Sequence, residues 1–342
     1  MAKLTNNTLL KGKTILITGG TGYLGQALTE EILKQNPKSI RVFSRDEVKH
    51  YKFQEKFLHN KKIRNFLGDV RDYPRLLKAT RQVDVVIHAA ALKRLDLLEY
   101  NVDESIKTNI LGTLNVVNAC LENRIKKAVM ISTDKACSPV NTYGACKFVS
   151  ERIFSESNYS KGNLKTIFTT VRYGNVLEST GSVIPFFSEK IVNGDKIPLT
   201  DPRMTRFIIT PKEAVELVFN AIKYSVGGEI FVPKLPSFKI IDLIEILKEK
   251  YHKKNKVKII GIRPGEKIHE LMINNSELPR TYSFKNLYVI SSSIQSFQDT
   301  SKPLYAKRGG LLNEKTMKEY SSENALISKE EVSKIFKKLK VI

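Results

Sequence analysis

Tyr143 and Lys147 stand four residues apart at the start of a helix-like stretch, which puts both on one helix face. An ammonium near a phenol favours the phenolate, because an opposite charge stabilises the ionised form. The pair can therefore make Tyr143 a general base for an alcohol at neutral pH. Thr133, at the end of the preceding strand-like run, is the expected hydroxyl partner. Asp134 and Lys135 follow directly. A plain alcohol oxidation needs no further acid and base, whereas an elimination needs both. A base removes a proton from carbon next to a ketone, and an acid helps a β-hydroxyl leave. Lys135 could be that base if desolvation or nearby Lys147 keeps it neutral. Asp134 could be that acid if its pKa is raised. The alternative, weighed equally on spacing alone, is an adjacent surface pair that neutralises itself.

A Tyr-x-x-x-Lys pair is common by chance, and its meaning comes from a second pattern. Thr18-Gly19-Gly20-Thr21-Gly22-Tyr23-Leu24-Gly25 joins the first strand-like run to the first helix-like run. Glycines at Gly19, Gly22 and Gly25 suit a tight turn, close backbone approach to a pyrophosphate and close helix–strand packing. The pyrophosphate would face the free amides of the helix start. A glycine turn without ligand is the plainer alternative. The second strand ends Ser44-Arg45-Asp46. Arg45 offers a donor fork for a 2′-phosphate and Ser44 a hydroxyl, so NADP is expected over NAD, with Asp46 as the competing carboxylate. Asp69-Val70 would lie beside the adenine, or Asp69 is a loop carboxylate. Ala89, Ala90 and Ala91 are small enough for backbone to approach a cofactor, or for simple core packing.

These residues need a scaffold that brings strand ends together. Runs at Thr14 to Thr18, Ile40 to Ser44, Ile63 to Leu67, Val83 to His88, Ala128 to Ile131 and Ile167 to Val171 read as strands. Helix-like stretches alternate with them at Tyr23 to Gln35, Asp72 to Arg81, Asn101 to Asn123 and Tyr143 to Glu156. Such alternation means parallel strands with right-handed crossovers. The expected fold is α/β, a doubly wound parallel Rossmann sheet with a smaller C-terminal substrate-binding lobe. Residues 1–176 would form the NADP-binding domain and 177–342 mostly the lobe, with about 208–234 returning to the Rossmann domain. In the second half, Pro211 to Lys223, Ile240 to Tyr251 and Lys329 to Leu339 read as helices, Glu229 to Val232 as a strand, and Ser321 to Asn324 as a turn.

Composition narrows the setting. The chain has 342 residues, 41% apolar and 27% charged, which is ample for a packed core. No apolar run reaches the ~18–20 residues of a membrane span, and Met1 to Lys13 lacks a signal-peptide core. A cytoplasmic protein with no membrane partner is expected. Cys120, Cys137 and Cys146 form no CxxC pair, so reduced thiols are expected and no metal site. His88 and His269 read as structural. The formal net charge of +22 is spread along the chain, densest at Lys248 to Lys258 and Lys334 to Lys340. Without interleaved aromatics it argues for a solvated surface rather than nucleic-acid binding. It would also draw in an anionic substrate such as a nucleotide diphosphate.

Taken together, the motifs resemble the inverting UDP-N-acetylglucosamine 4,6-dehydratases, extended short-chain dehydrogenases/reductases of polysaccharide biosynthesis that start pseudaminic acid and related pathways. The likeness spans TGGTGYLG (18–25), SRDE (44–47), GDVRD (68–72), HAAALK (88–93), STDKA (132–136), YGACK (143–147), VRYGNV (171–176), GSVIPFF (181–187), TDPRMTRF (200–207), GGEIFVPK (227–234), GIRPGEKIHE (261–270) and YSSENALISKEE (320–331). Gly22-Tyr23-Leu24 departs from the family's usual Ser-Phe after that glycine. The resemblance implies that Tyr143 takes the O4 proton as hydride moves from C4 to NADP, Lys135 removes the C5 proton, and Asp134 protonates the departing 6-hydroxyl. Hydride then returns to C6 and C5 is reprotonated on the opposite face. Thr133 and Lys147 complete the catalytic set. It implies further that Lys93 and Asn175 approach the sugar and that Ser182 and Val183 line its pocket. Arg206 and Arg263 would clamp the diphosphate near Glu266. Tyr173 and Thr200 are counted with the substrate residues, and Lys93 and Asn109 with the cofactor residues. Retaining relatives resemble the chain less, since they carry Met at the position of Tyr143 and tend to have membrane spans. The family implies a homo-oligomer, a hexamer being one such form. The rival expectations are a 4-epimerase or another nucleotide-sugar 4,6-dehydratase, and a non-catalytic NADP-binding protein.

Overall fold

The computed structural model describes residues 8–177, 183–294, 302–313, 315 and 317–339. Strands β1 (Thr14–Thr18), β2 (Ser39–Ser44), β3 (Ile63–Leu67), β4 (Val85–His88), β5 (Lys127–Thr133) and β6 (Ile167–Tyr173) form a parallel sheet in the order β3-β2-β1-β4-β5-β6. β1 and β4 are buried along their whole length, as strands covered on both faces must be. Strand order reverses between β1 and β4, and the crevice beyond their carboxyl ends is where open α/β sheets bind ligands.

Helices α1 (Tyr23–Leu33), α2 (Glu47–Lys56), α3 (Tyr73–Thr80), α4 (Leu95–Leu98), α5 (Val102–Ser105), α6 (Gly112–Glu122) and α7 (Thr142–Ser160) connect the strands. The stretch expected as one helix over 101–123 contains a π-helical turn, Ile106–Leu111, between α5 and α6. Such a turn shifts the later helix face and is often found where a side chain must be re-aimed. Helix α2 has no apolar stripe and escapes periodicity. Asp46 accepts the Lys49 amide at 2.9 Å and starts it.

The second half divides its elements. After α8 (Val183–Val192), β7 (Ile197–Leu199) and β8 (Thr205–Phe207), helix α9 (Pro211–Tyr224) packs against α1, β5 and β6. Strand β9 (Ile230–Pro233) then joins β6 in parallel. Strand β10 (Ser237–Lys239) pairs with β8, and β11 (Val257–Ile259) with β7. Helices α10 (Ile240–Lys250) and α12 (Lys329–Lys338) close a separate apolar cluster with α8, including Phe187, Ile197, Leu243, Leu247 and Phe336. Strand β12 (Leu271–Ile273) follows, then a hairpin, β13 (Thr281–Phe284) and β14 (Leu287–Ile290), extends the main sheet antiparallel beyond β9. The hairpin was not anticipated. Its signal lies in the aromatic and β-branched alternation around Lys285, whose φ is +55°. Short α11 (Leu304–Arg308) and β15 (Gly310–Leu311) cover the hairpin edge. Part of the expected turn at 321–324 is strand: β16 (Tyr320–Ser321) pairs with β12 because both backbones are buried and need ladder partners. Among the described residues, no helix is long and apolar enough to cross a membrane.

Arg172 on β6 ties these parts together. Its guanidinium is fully buried and donates to Glu151 of α7 at 3.0 and 2.6 Å, to Glu277 at 2.9 Å twice, and to the Met272 carbonyl at 2.7 Å. A buried charge is tolerable only when every donor is so occupied. Glu277→Ala should therefore cost about 3–5 kcal/mol, read as a lower denaturant midpoint. Glu31→Ala, at the exposed ion pair with Lys34, should cost under about 1 kcal/mol.

Candidate active site

Strand β5 ends at Thr133 and the chain tightens into a 3₁₀ turn, Asp134–Ala136. The Thr133 hydroxyl donates to Asp134 Oδ1 at 2.9 Å and accepts from the Lys135 amide at 3.4 Å, so it fixes the turn. Lys135 Nζ donates to Asp134 Oδ1 at 3.0 Å and to Glu270 Oε1 at 3.2 Å. Asp134 and Lys135 are thus a pair, but not a surface one: their side chains are 1% and 17% exposed. Asp134 Oδ2 is buried without a partner.

Helix α7 brings Tyr143 to this turn. Asn141 caps it, accepting the Gly144 amide at 2.8 Å while donating to the Gly265 carbonyl at 2.7 Å. Gly144 lies against the turn so closely that a Cβ there would sit 2.2 Å from the Lys135 carbonyl oxygen. Tyr173 is paired with Thr133 in the sheet register, which puts its buried phenol beside the same strand end.

The electrostatics differ from those spacing suggested. Burial pushes the Tyr143 phenol up to about 12; the opposing cation is Lys135, and Thr133 helps it. Lys147 instead donates to the Ile131 carbonyl at 2.8 Å, and burial lowers its amine to about 8. Lys135 is not held neutral. Burial alone would lower its amine, but the Asp134 and Glu270 carboxylates outweigh that and raise it. Burial, opposed by Lys135 and aided by Glu270, raises Asp134.

The glycine turn has the shape a dinucleotide needs. Gly19 has φ +67°, and a Cβ there would lie 2.8 Å from the Ala90 amide nitrogen, so the loops after β1 and β4 touch. Gly22 caps α1, and a Cβ at Gly25 would sit 2.3 Å from the Gly20 carbonyl oxygen, so helix and turn pack without a spacer. Helix α1 keeps its first amides free of helical acceptors. Thr21 is buried, Leu24 packs on the core, and the Tyr23 hydroxyl donates to the Leu177 carbonyl at 3.1 Å. Ser44 is shared between the Thr21 hydroxyl at 2.8 Å and His50 at 3.0 Å. Arg45 is half exposed and pairs with Asp69 at 3.5 Å, while Asp69 also holds Arg71. Asp46 is occupied as the cap of α2. Val70 is buried under Gly112. The Ala89 and Ala90 amides donate to Thr18, and Asn109 fixes the loop beyond Ala91 by bonding both amide and carbonyl of Leu92. His88 is locked between Thr18 and Thr113, and burial lowers it to about 3.

On the lobe side, a cleft is lined by Lys135, Asn141, Arg206, Glu266, Lys267 and Glu270, among others. Arg206 lies 3.5 Å from Glu270 and bonds the Thr205 and Ile268 carbonyls. Glu266 and Glu270 each carry a buried carboxylate oxygen without a partner. Thr200 and Val183 are half-buried in the lobe, whereas Lys93, Asn175 and Arg263 are exposed and, among the described residues, their side chains make no hydrogen bond. Ser182 lies outside the described residues. His269 shares a hydrogen bond with Thr205. Asn141 and Glu270 were not singled out from sequence. The Asn before a helix start is a legible cap signal; Glu270 has no local signal, since its partner is 135 residues away.

Gly144→Ala forces Cβ onto the Lys135 carbonyl and should cost about 1–3 kcal/mol. Ala145→Ser, one residue on and exposed, should stay within about 0.5 kcal/mol. Denaturant unfolding of both variants checks this.

Comparison with known proteins fits this geometry. A family described as polysaccharide biosynthesis protein matches residues 15–292. A UDP-N-acetylglucosamine 4,6-dehydratase (inverting) of Campylobacter jejuni is 49% identical over 84% of this chain and 85% of its own. A UDP-glucose 4-epimerase of Rickettsia bellii is 40% identical over 81% and 82%. The X-ray structure of Pen from Bacillus thuringiensis superposes with a TM-score of 0.87 at 38% identity, covering 97% of this chain and 99% of that one. With a match across both the glycine turn and the Asp134–Lys135 turn, the chain belongs to the polysaccharide biosynthesis protein family, built on the extended Rossmann scaffold.

Proposed function

We propose that this chain is an inverting UDP-N-acetylglucosamine 4,6-dehydratase that uses NADP. The observation that carries the reading is the buried Asp134–Lys135 pair at the end of β5, beside Tyr143, with Lys135 lining a cleft in which Glu266 and Glu270 carry unpartnered carboxylate oxygens. An epimerase needs the tyrosine but has no use for a second acid and base. The 49% identical relatives named for this activity support the substrate.

The turn at Gly19 to Gly25 would hold the pyrophosphate, and Arg45 with Ser44 the 2′-phosphate. Asp69 and Val70 would border the adenine, and Ala89, Ala90 and Ala91 the nicotinamide half, with Lys147 on the ribose. When bound, NADP supplies the hydride acceptor at C4 and the donor at C6. Residues 1–176 would carry this half of the site. Arg206 and Arg263, from the lobe, would take the diphosphate, aided by the long-range attraction of the +22 charge. Lys93, Asn175, Ser182, Val183 and Thr200 would surround the sugar.

Tyr143, as the phenolate that the Lys135 cation and the Thr133 hydroxyl favour, accepts the 4-hydroxyl proton. The Lys135 ammonium gives a proton to Asp134 across their 3.0 Å bond, which leaves a neutral amine and a carboxylic acid. The transfer leaves the net charge of the buried site unchanged, while the raised Lys135 amine makes it an uphill step. Lys135 then takes the C5 proton, and Asp134 returns its own to the 6-hydroxyl, which departs as water.

Incubation with UDP-N-acetylglucosamine in D2O, followed by NMR, should give a 4-keto-6-deoxy sugar with deuterium at C5 and an L-configured ring. Unchanged substrate or a 4-epimer would defeat the proposal. Lys135→Ala and Tyr143→Phe should each lower kcat at least ~100-fold with cofactor still bound. Arg45→Ala should weaken NADP affinity ~10-fold or more while leaving NAD affinity nearly unchanged; equal losses for both would reassign Arg45.

A further inference from the structure

Glu270 opens β12's approach to the cleft, its amide held by the Ser322 hydroxyl at 2.8 Å. Its Oε1 takes both Lys135 Nζ at 3.2 Å and Arg206 Nε at 3.5 Å. Its Oε2 is buried and has no partner, and the side chain is 3% exposed. The Lys135 ammonium therefore sits between two carboxylates, one from its chain neighbour and one from across the cleft.

The two carboxylates act on the proton differently. Asp134 can receive it through their direct bond. Glu270 touches Lys135 Nζ, and no hydrogen bond joins it to Asp134. Glu270 accepts a hydrogen bond from Nζ and none from Asp134, so its charge favours a proton on Nζ over one on Asp134. We propose that Glu270 is a positioning residue that holds this proton on Lys135 and so sets the acidity range in which Lys135 can serve as base. The inference rests on the role given to Lys135 above.

The charges facing Lys135 are the Asp134 and Glu270 carboxylates and the Arg206 and Lys267 cations, with the Tyr143 phenol nearby and Glu266 on the same cleft. Burial would raise Glu270, but Lys135 and Arg206 outweigh it and keep it ionised. The signs follow. Neutralising Glu270 removes an anion from beside the Lys135–Asp134 pair, so the pair takes up a second proton only at lower pH and the acid limb of the kcat profile moves to lower pH. Neutralising Arg206 removes a cation from Lys135, so that limb moves to higher pH.

The test is kcat against pH at saturating UDP-N-acetylglucosamine, with the full-length holoenzyme, Glu270→Gln and Arg206→Gln. Gln keeps an oxygen for Lys135 and removes only the charge. The limb should fall by about one unit or more in Glu270→Gln and rise in Arg206→Gln. A limb that stays put in Glu270→Gln, even with a raised KM, overturns the proposal. If that variant does not fold, Arg206→Gln decides: a rise supports the proposal, and an unmoved or lowered limb overturns it. An inactive wild type defeats the dehydratase reading itself, whereas an active wild type with unmoved limbs defeats only the role of Glu270.

Discussion

Helix α7 can lie where it does only because residue 144 has no side chain. The contact between Gly144 and the Lys135 carbonyl leaves no room for a methyl group. It sets the distance between the turn that carries Asp134 and Lys135 and the helix that carries Tyr143 and Lys147. Asn141 then fixes the helix start and joins it to the loop of Gly265, so one side chain positions both the phenol and the lobe side of the cleft. Precision here comes from backbone packed on backbone, which has few ways to relax.

The proposed chemistry would be built on charge that the interior would ordinarily reject. Asp134, Lys135 and Glu270 are nearly sequestered from water, and their attractions offset what burial costs. Such a cluster is poised: moving one proton by one hydrogen bond changes which group is acid and which is base without changing the total charge. Lys147 has a different part. Held on the Ile131 carbonyl and lowered by burial, it is attached to the strand that ends at Thr133 rather than to the phenol.

The first half of the fold was legible because each strand is a short apolar run and each crossover a periodic helix. The glycine turn was legible because its spacing answers one steric need. Local patterns failed where the reason for a residue lies far along the chain. Helix α2 has no stripe and depends on the Asp46 cap. The β13–β14 hairpin has its pairing partner, β9, 54 to 60 residues earlier. Lys147 at four residues from Tyr143 was rightly put on one helix face, but same-face placement does not say where an amine points. Lys135, which desolvation or Lys147 could have kept neutral, is a cation because the Asp134 carboxylate, joined by Glu270 from 135 residues away, outweighs burial.

Arg172 also bears on how the chain reaches its form during synthesis. Its second carboxylate, Glu277, emerges 105 residues after it. Until then the guanidinium has only Glu151 to answer its charge and must keep the rest of its donors in water. Full burial of the guanidinium, and so of this part of β6, is coupled to an anion supplied by the second half of the chain. An arginine in the middle of the sheet thereby links the order of the first half to a residue 105 positions further along.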